Sequence, residues 1–347
     1  KIDIGKDKYG FTKLYLNNKE LFHWGTLDQG WWPDGLLTPP SLEAMAYDMK
    51  VLKTLGFNTI RKHVKVEPAV FYHEADKLGF LIWQDMPSGF LHNHHPVQHV
   101  MWGDEKDWNR PRESAALFKK EWKNIIDHLK FFSSIVVWIP FNEGWGQFES
   151  KKITEWTMNY DTTRLTNGIS GWDDREVGHF IDLHQYPGPG MEPPSKNEGR
   201  AVVLGEFGGY GYPVKNHLWD KTKKNWGYRV SKNLESYLKD YKQVIYNLHG
   251  EKARGLAAAI YTQTTDVEIE VNGLLTYDRK VIKLPIELTK KIHKELFNEF
   301  EKAQFLIKDS EVLIQSKKFT NKKLPLNWAL NPKNNSQFKL IEFPTNL

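Results

Sequence analysis

The chain has 347 residues, 40% apolar and 26% charged, with a formal net charge of +5. That is mass enough for a barrel of about 250 residues plus extensions, and no apolar run reaches the ~18 residues of a membrane-crossing helix. Zero cysteines exclude disulfides, thiolate metal sites and cysteine nucleophiles, and Arg279–Leu347 holds 14 basic against 7 acidic residues, leaving the body near neutral and without a nucleic-acid face.

Residues 1–18 are too short for a domain and read as a lead-in, the end of a domain lying upstream. Leu21–Gly25 reads as a first strand. Ser41 is then an N-cap with Glu43 in the first turn, and Leu42, Met45, Met49, Leu52 and Leu55 keep helical spacing until Gly56. Phe57–Arg61 is a second strand, Pro68 opens a helix that Gly79 closes, and Phe80–Asp85 is a third strand. Glu113–Lys130 follows as an amphipathic helix, Ser134–Pro140 as a fourth strand and 147–160 as a helix. Shorter strands are expected near Leu165–Ser170 and His179–His184. Ala201–Glu206, a helix over Asn233–Leu248, Gly255–Thr262 and a closing helix over Asp278–Phe300 complete the series. Short β-branched runs alternating with helices indicate a parallel sheet, and eight such units over residues 19–302 predict an α/β fold of the (β/α)8 barrel type. Residues 303–347 lose periodicity and read as a linker or the fragment of a following module.

In such a barrel the reactive groups sit where strands end, on the C-terminal face. The fourth strand runs into Phe141-Asn142-Glu143-Gly144 and the seventh into Gly205-Glu206-Phe207-Gly208. Each presents one glutamate directly after an apolar strand, at the same level of the barrel. Two facing carboxylates are the equipment of glycoside hydrolysis, one to protonate the leaving oxygen and one to attack or guide water. The alternative for each is a structural ion pair. The 14 tryptophans, many beside turn residues, suit stacking on flat sugar rings. Asp28 and Trp31, after the first strand, are candidates to meet substrate hydroxyls and ring faces, against simple loop packing.

The motifs LYLNNKELFHWG, LKTLGFNTIRKH, FYHEADKLGFLIWQDMP, FNEGWGQ and LGEFGG, in that order, resemble the catalytic barrel of family 2 glycoside hydrolases, the β-galactosidase, β-glucuronidase and β-mannosidase group. The resemblance spans Leu14 to about Arg279. It implies Glu143 as acid/base, Glu206 as nucleophile, Asn142 as donor to the sugar 2-hydroxyl and Arg61 beneath the nucleophile. Tyr186 would hydrogen-bond the nucleophile with His184 beside it, and Tyr261 stands where the family places a tryptophan as sugar floor. Implied with these are a retaining exo-β-glycosidase, a galactoside as first substrate and a uronide as next, no cofactor and no metal. Further domains of the same polypeptide and a periplasmic or extracellular setting are implied as well.

Two rivals remain open from the sequence. One is a barrel that binds carbohydrate without turning it over, or an incomplete segment of a larger enzyme. The other is a metal-dependent hydrolase built on His92, His94, His95 and His99 with Asp104, although that loop has no helical HExxH spacing. The glycine-rich stretches Gly208-Gly209-Tyr210-Gly211 and Tyr186–Gly190 lack phosphate-loop spacing and read as turns.

Overall fold

The structure is a computed structural model and describes residues 1–87, 103–144, 146–191, 194–195 and 198–298, with the backbone of four strands between 302 and 344. Two compact units divide at residue 296. The first opens with a small antiparallel sheet, β1 (Ile2–Lys6), β2 (Thr12–Leu16) and β3 (Lys19–Glu20). The barrel follows: β4 (His23–Asp28), α1 (Leu42–Leu55), β5 (Thr59–Lys62), α2 (Ala69–Leu78), β6 (Leu81–Asp85), α3 (Arg112–Leu129), β7 (Ile135–Ile139), α4 (Ser150–Tyr160), β8 (Leu165–Thr166), β9 (Phe180–Gln185) and β10 (Ala201–Gly208). A short parallel pair, β11 (Tyr210–Gly211) and β12 (Arg229–Val230), precedes α5 (Leu234–Ala253), β13 (Ala258–Thr262) and α6 (Ile286–Glu295). In the second unit β14 (Lys302–Lys308), β15 (Glu311–Gln315), β16 (Lys322–Pro325) and β17 (Phe343–Pro344) form one antiparallel sheet.

The eight barrel strands pair in parallel in the order β8-β7-β6-β5-β4-β13-β10-β9. The remaining seam between β8 and β9 is bridged where the His179 amide donates to the Thr166 carbonyl at 2.9 Å. Period-2 alternation splits the core into two layers. Leu27, Leu81, Trp83, Val137, Ile139, Val203, Ala258 and Ile260 fill the barrel, while Trp24, Ile60, Ile82, Trp138, Leu204 and Tyr261 face the helices. No helix among the described residues is long and apolar enough to cross a membrane.

Several boundaries differ from expectation. The first strand begins at His23 rather than Leu21 and extends to Asp28. The closing helix begins only at Ile286, because Pro285 supplies its N-cap and 277–284 is a turn stabilised by Thr276 and Asp278. Among the described residues the first unit has six helices, the number of helical stretches the sequence marks, and none follows β8 or β9. Ser41 does accept from the Ala44 amide at 3.1 Å, and Gly56 and Gly79 close their helices in the left-handed region. The histidines His92, His94, His95 and His99 lie outside the described residues, as do Trp102 and Trp145.

Candidate active site

The position of Glu206 is made by a bulge. Along β10, Leu204 and Phe207 both face the helices, and the pairing with β9 and β13 shifts register between them. One extra residue at that point turns both Gly205 and Glu206 towards the barrel axis. Gly205 is required there, because a Cβ would lie 2.3 Å from Asp182 Oδ2 and 2.5 Å from Ser170 Oγ. The opposing loop is pinned by aromatic packing. Phe141 stacks on Phe118 at 5.2 Å and Phe148 meets the same ring edge-on at 5.2 Å, so Asn142 and Glu143 hang between two anchored rings. The Ser170 amide donates to the Phe141 carbonyl at 2.9 Å, and Asp107 caps α4 through the Ser150 amide at 2.7 Å.

Arg61, fully buried on β5, organises the centre. Its Nε and Nη2 engage Asp85 at 3.2 and 3.0 Å, Nη2 donates to Asn142 Oδ1 at 2.7 Å, and Nη1 donates to the Gly205 carbonyl and Glu206 Oε1 at 3.1 Å each. Holding Asn142 by its oxygen leaves the amide NH2 free to donate. The second oxygen of Glu206 accepts from the Tyr186 hydroxyl at 2.6 Å; Tyr186 in turn meets Thr262 Oγ1 at 2.6 Å. His63 Nδ1 lies 3.0 Å from Asp85 and 4.0 Å from Glu206. His184 Nε2 meets Ser170 Oγ at 2.9 Å, and its Nδ1 faces Glu143 Oε2. Ligand atoms of Glu143, His184 and Glu206 all lie within 4.8 Å of one another.

The two glutamates differ sharply in environment. Burial raises the Glu206 carboxyl, but the Arg61 guanidinium and the Tyr186 hydroxyl, each donating to one of its oxygens, outweigh it and hold the group well below the usual carboxylate range. Arg61 is the charge present at every pH. Burial holds His184 down to about 3, leaving it a neutral imidazole. Glu143 is only partly buried, receives no guanidinium, and lies against that imidazole. The trio could take a metal ion by its ligand atoms, but both oxygens of Glu206 already serve donors, and a cation would sit against the Arg61 guanidinium.

Three expectations are corrected. Tyr261 is no sugar floor: alternation along β13 sends it outward, fully buried against Phe207 and Tyr241, and Thr262 is the residue that faces the carboxylates. Asp28 also points out of the barrel, where Lys62 binds Oδ2 at 3.0 Å and the Gly30 amide binds Oδ1 at 3.0 Å. Trp31 is half-buried in the same outer loop, its carbonyl accepting from Arg279 at 2.6 Å, and no described contact joins it to the carboxylates.

Four residues at the mouth went unselected in the sequence. Asp85 ends β6 as the glutamates end their strands, and His63 lies two residues beyond Arg61 on the same face; both signals were legible. Thr262 needed the strand parity. Glu270 sits in the loop after β13, held through Asn272 (2.8 Å), Gln263 (2.9 Å) and Gln29 (2.9 Å) in a line of amides. Burial pushes its carboxyl up to about 7, and the charge of Glu206 pushes the same way.

Comparison with known proteins agrees with this geometry. The family described as glycosyl hydrolases family 2, TIM barrel domain, matches residues 13–187, a segment that contains Arg61, Asn142, Glu143 and Tyr186 and stops short of Glu206. Nothing among curated proteins matches the chain. Solved structures similar to it include a β-galacturonidase from Eisenbergiella tayi bound to galacturonate, with TM-score 0.64 and 17% identity over 86% of this chain and 55% of that one. An uncultured Clostridium sp. β-glucuronidase gives 0.63 and 13%, over 85% and 53%. A Parabacteroides merdae β-glucuronidase gives 0.59 and 15%, over 91% and 44%. The chain therefore spans about half the length of these solved relatives, and at such identities they speak for the fold alone. With its family matched over half the sequence and the barrel built as that family requires, the chain belongs to glycosyl hydrolases family 2.

Proposed function

We propose that the chain is a retaining exo-β-glycosidase in which Glu206 attacks the anomeric carbon and Glu143 is the acid/base. The observation that carries this reading is the asymmetry of the two carboxylates across a short gap. Glu206 is buried, with a donor on each oxygen, and stays ionised; its opposite number has an oxygen against a neutral imidazole. One oxygen of each carboxylate comes within 4.8 Å of the other, an approach that favours direct attack over the wider spacing of about 6.5–9.5 Å that seats a water between them.

Proton logic supports the second role. His184 Nε2 lies 2.9 Å from Ser170 Oγ and 3.4 Å from the Arg61 guanidinium, which can only donate, and its Nδ1 faces the Glu143 carboxyl. One proton between Nδ1 and the adjacent Glu143 oxygen, on either partner, makes that contact a hydrogen bond. The acid role requires that proton on the Glu143 side when the glycoside is bound. In the first step the C1–O bond breaks as Glu143 gives its proton to the departing oxygen and Glu206 bonds to C1. In the second, water loses a proton to Glu143 and its oxygen displaces Glu206. Asn142, fixed by Arg61, offers its NH2 to the 2-hydroxyl.

A neutral sugar of the galactose type is favoured over a uronide. At this end of the barrel Lys62 is paired with Asp28 and Glu67, Lys65 with Glu67, Arg279 with Asp48 and Lys283 with Asp266. A substrate carboxylate would find these described cations already engaged and Glu270 facing it. A non-catalytic binding barrel is disfavoured, since recognition alone has no use for one carboxylate clamped by a guanidinium and a tyrosine hydroxyl opposite a second one against an imidazole.

The test is a panel of 4-nitrophenyl α- and β-glycosides, including galactose, glucose, mannose and both uronic acids, with and without EDTA. The expected result is one β-glycoside cleaved with retained anomeric configuration, insensitive to EDTA and lost in Glu206→Gln. Glu143→Ala should harm poor leaving groups far more than activated aryl ones. An inverted product, or equal losses on both leaving-group types, would overturn the assignment.

A further inference from the structure

The mouth carries an aromatic surface that the hydrolytic machinery does not use. Tyr186, whose hydroxyl holds Glu206, is stacked face to face on Tyr228, with centroids 3.5 Å apart and planes 4° from parallel. Trp226 meets Tyr228 at 5.6 Å and 75°, forming a corner of two rings. Trp226 is 40% exposed and Tyr228 45%, whereas the Tyr186 they adjoin is half-buried and Glu206 beyond it is buried. Large exposed aromatics in contact with one another lose hydration free energy that ordinary surface residues do not.

The corner is also built rather than incidental. The Tyr228 amide donates to the Gly209 carbonyl at 3.0 Å, the Trp226 amide to Ile269 at 2.9 Å, and Val271 donates back to Trp226 at 2.8 Å. β12 pairs with β11 immediately beyond. Backbone is thus tied on two sides, and the rings are presented at little entropic cost. Gly209, at φ +66, is part of the device: a Cβ there would lie 2.4 Å from the Tyr228 ring. The glycines of FGGYG, which have no phosphate-loop spacing, serve to let this ring lie against Tyr186.

We propose that Trp226 and Tyr228 form a stacking subsite for the leaving group of the glycoside, a pyranose or aryl ring immediately beyond the scissile bond. The proposal rests on the glycosidase reading above. In an exo-acting enzyme the terminal sugar occupies the enclosed space over Glu143 and Glu206, so what lies over the exposed rim is the departing portion. Flat apolar faces of a pyranose or an aryl ring suit a planar floor with a second ring standing against its edge. The continuity Trp226–Tyr228–Tyr186–Glu206 places that floor one ring away from the nucleophile.

The experiment uses the sugar identified by the glycoside panel, offered as its methyl glycoside, its 4-nitrophenyl glycoside and a disaccharide with a pyranose leaving group. In Trp226→Ala the kcat/KM of the two ring-bearing substrates is expected to fall about 5- to 10-fold, as for loss of one stacking partner, while the methyl glycoside stays within about twofold. Trp226→Phe, which keeps a ring, should restore most of the loss. An active wild type with equal losses on all three substrates, or none on any, overturns the subsite and leaves the glycosidase reading intact. A wild type inert towards every glycoside in the panel overturns both.

Discussion

Removing the Tyr186 hydroxyl should move the ionisation of Glu206 upward. Tyr186→Phe keeps the ring and its stack on Tyr228 and deletes the 2.6 Å hydrogen bond to Oε2 together with the 2.6 Å contact to Thr262 Oγ1. A hydrogen bond to a charged group is worth about 1.5–3 kcal/mol, which at 1.36 kcal/mol per unit raises the Glu206 pKa by about 1–2 units. The sign follows from the donor favouring the charged form. Arg61 still supports Oε1, so the group remains a carboxylate at neutral pH. The acid limb of kcat/KM, measured with an activated aryl glycoside whose departure needs little proton transfer, should therefore shift to higher pH by that amount. Stability supplies a second reading. A depressed carboxylate pKa stabilises above its unfolded value of about 4.3, and that contribution is lost as pH falls through the folded value. The variant should melt below wild type at neutral pH, with the gap closing as acid protonates Glu206 in both. Thr262→Ala, which removes the neighbouring 2.6 Å contact without touching the carboxylate, should move the limb much less. An acid limb that does not move in Tyr186→Phe, with a melting difference constant across pH, would refute the reasoning.

Two more perturbations test the surroundings. Glu270 is pushed up to about 7, so it gains its charge as pH rises through neutrality. The ratio of kcat/KM for a uronide to that for the matching neutral glycoside should therefore fall across about pH 6–8 and be flat in Glu270→Gln. A raised acid pKa costs stability as pH rises from the unfolded value, so the same variant should melt higher than wild type above pH 7, and an unchanged melting profile would count against the assignment. Phe118→Ala, emptying the slot between Phe141 and Phe148, should cost about 3–5 kcal/mol by thermal or urea unfolding and reduce kcat by loosening Glu143. A stability loss with undiminished kcat would show that the loop is held by other contacts.

Much of the barrel was legible because its signals are local. Ser41 caps, Gly56 and Gly79 stop helices, and β-branched runs mark strands, each through interactions spanning a few residues. Strand-end glutamates were legible for the same reason: an acid after an apolar run has few structural excuses. What escaped was set by alternation and by long-range pairing. Tyr261 and Thr262 are adjacent, and either could have faced the axis until the partners of β13 fixed the parity. Counting from Glu206 back along β10 would have sent the glutamate outward, because nothing in Leu204-Gly205-Glu206 announces a bulge apart from the glycine itself. Asp28 was chosen for its place at the mouth, yet parity turns it to Lys62. Tyr228 reaches Tyr186 only through the pairing of β12 with β11, 42 residues along the chain and carrying no local mark.

The charge at the mouth ties substrate class to chemistry. Glu143, Glu206, Asp85 and Glu270 converge there, with Asp182 just below, whose carboxyl burial pushes up to about 6. Arg61 is the cation among them, and its contacts are spent on Asp85, Asn142, Gly205 and Glu206. On the glycosidase reading the transition state carries positive charge on the anomeric carbon and ring oxygen. A preset excess of negative charge lowers its energy more than that of a neutral ground state, which is the differential binding that catalysis needs. The same field acts on a uronate already in the ground state, where it repels the carboxylate before any bond has begun to break. Offsetting that repulsion would take a free cation, whereas here Lys62, Lys65, Arg279 and Lys283 are each committed to a carboxylate partner. The electrostatics that favour the reaction thus disfavour the anionic substrate, and Glu270 is the residue at which the two effects can be separated.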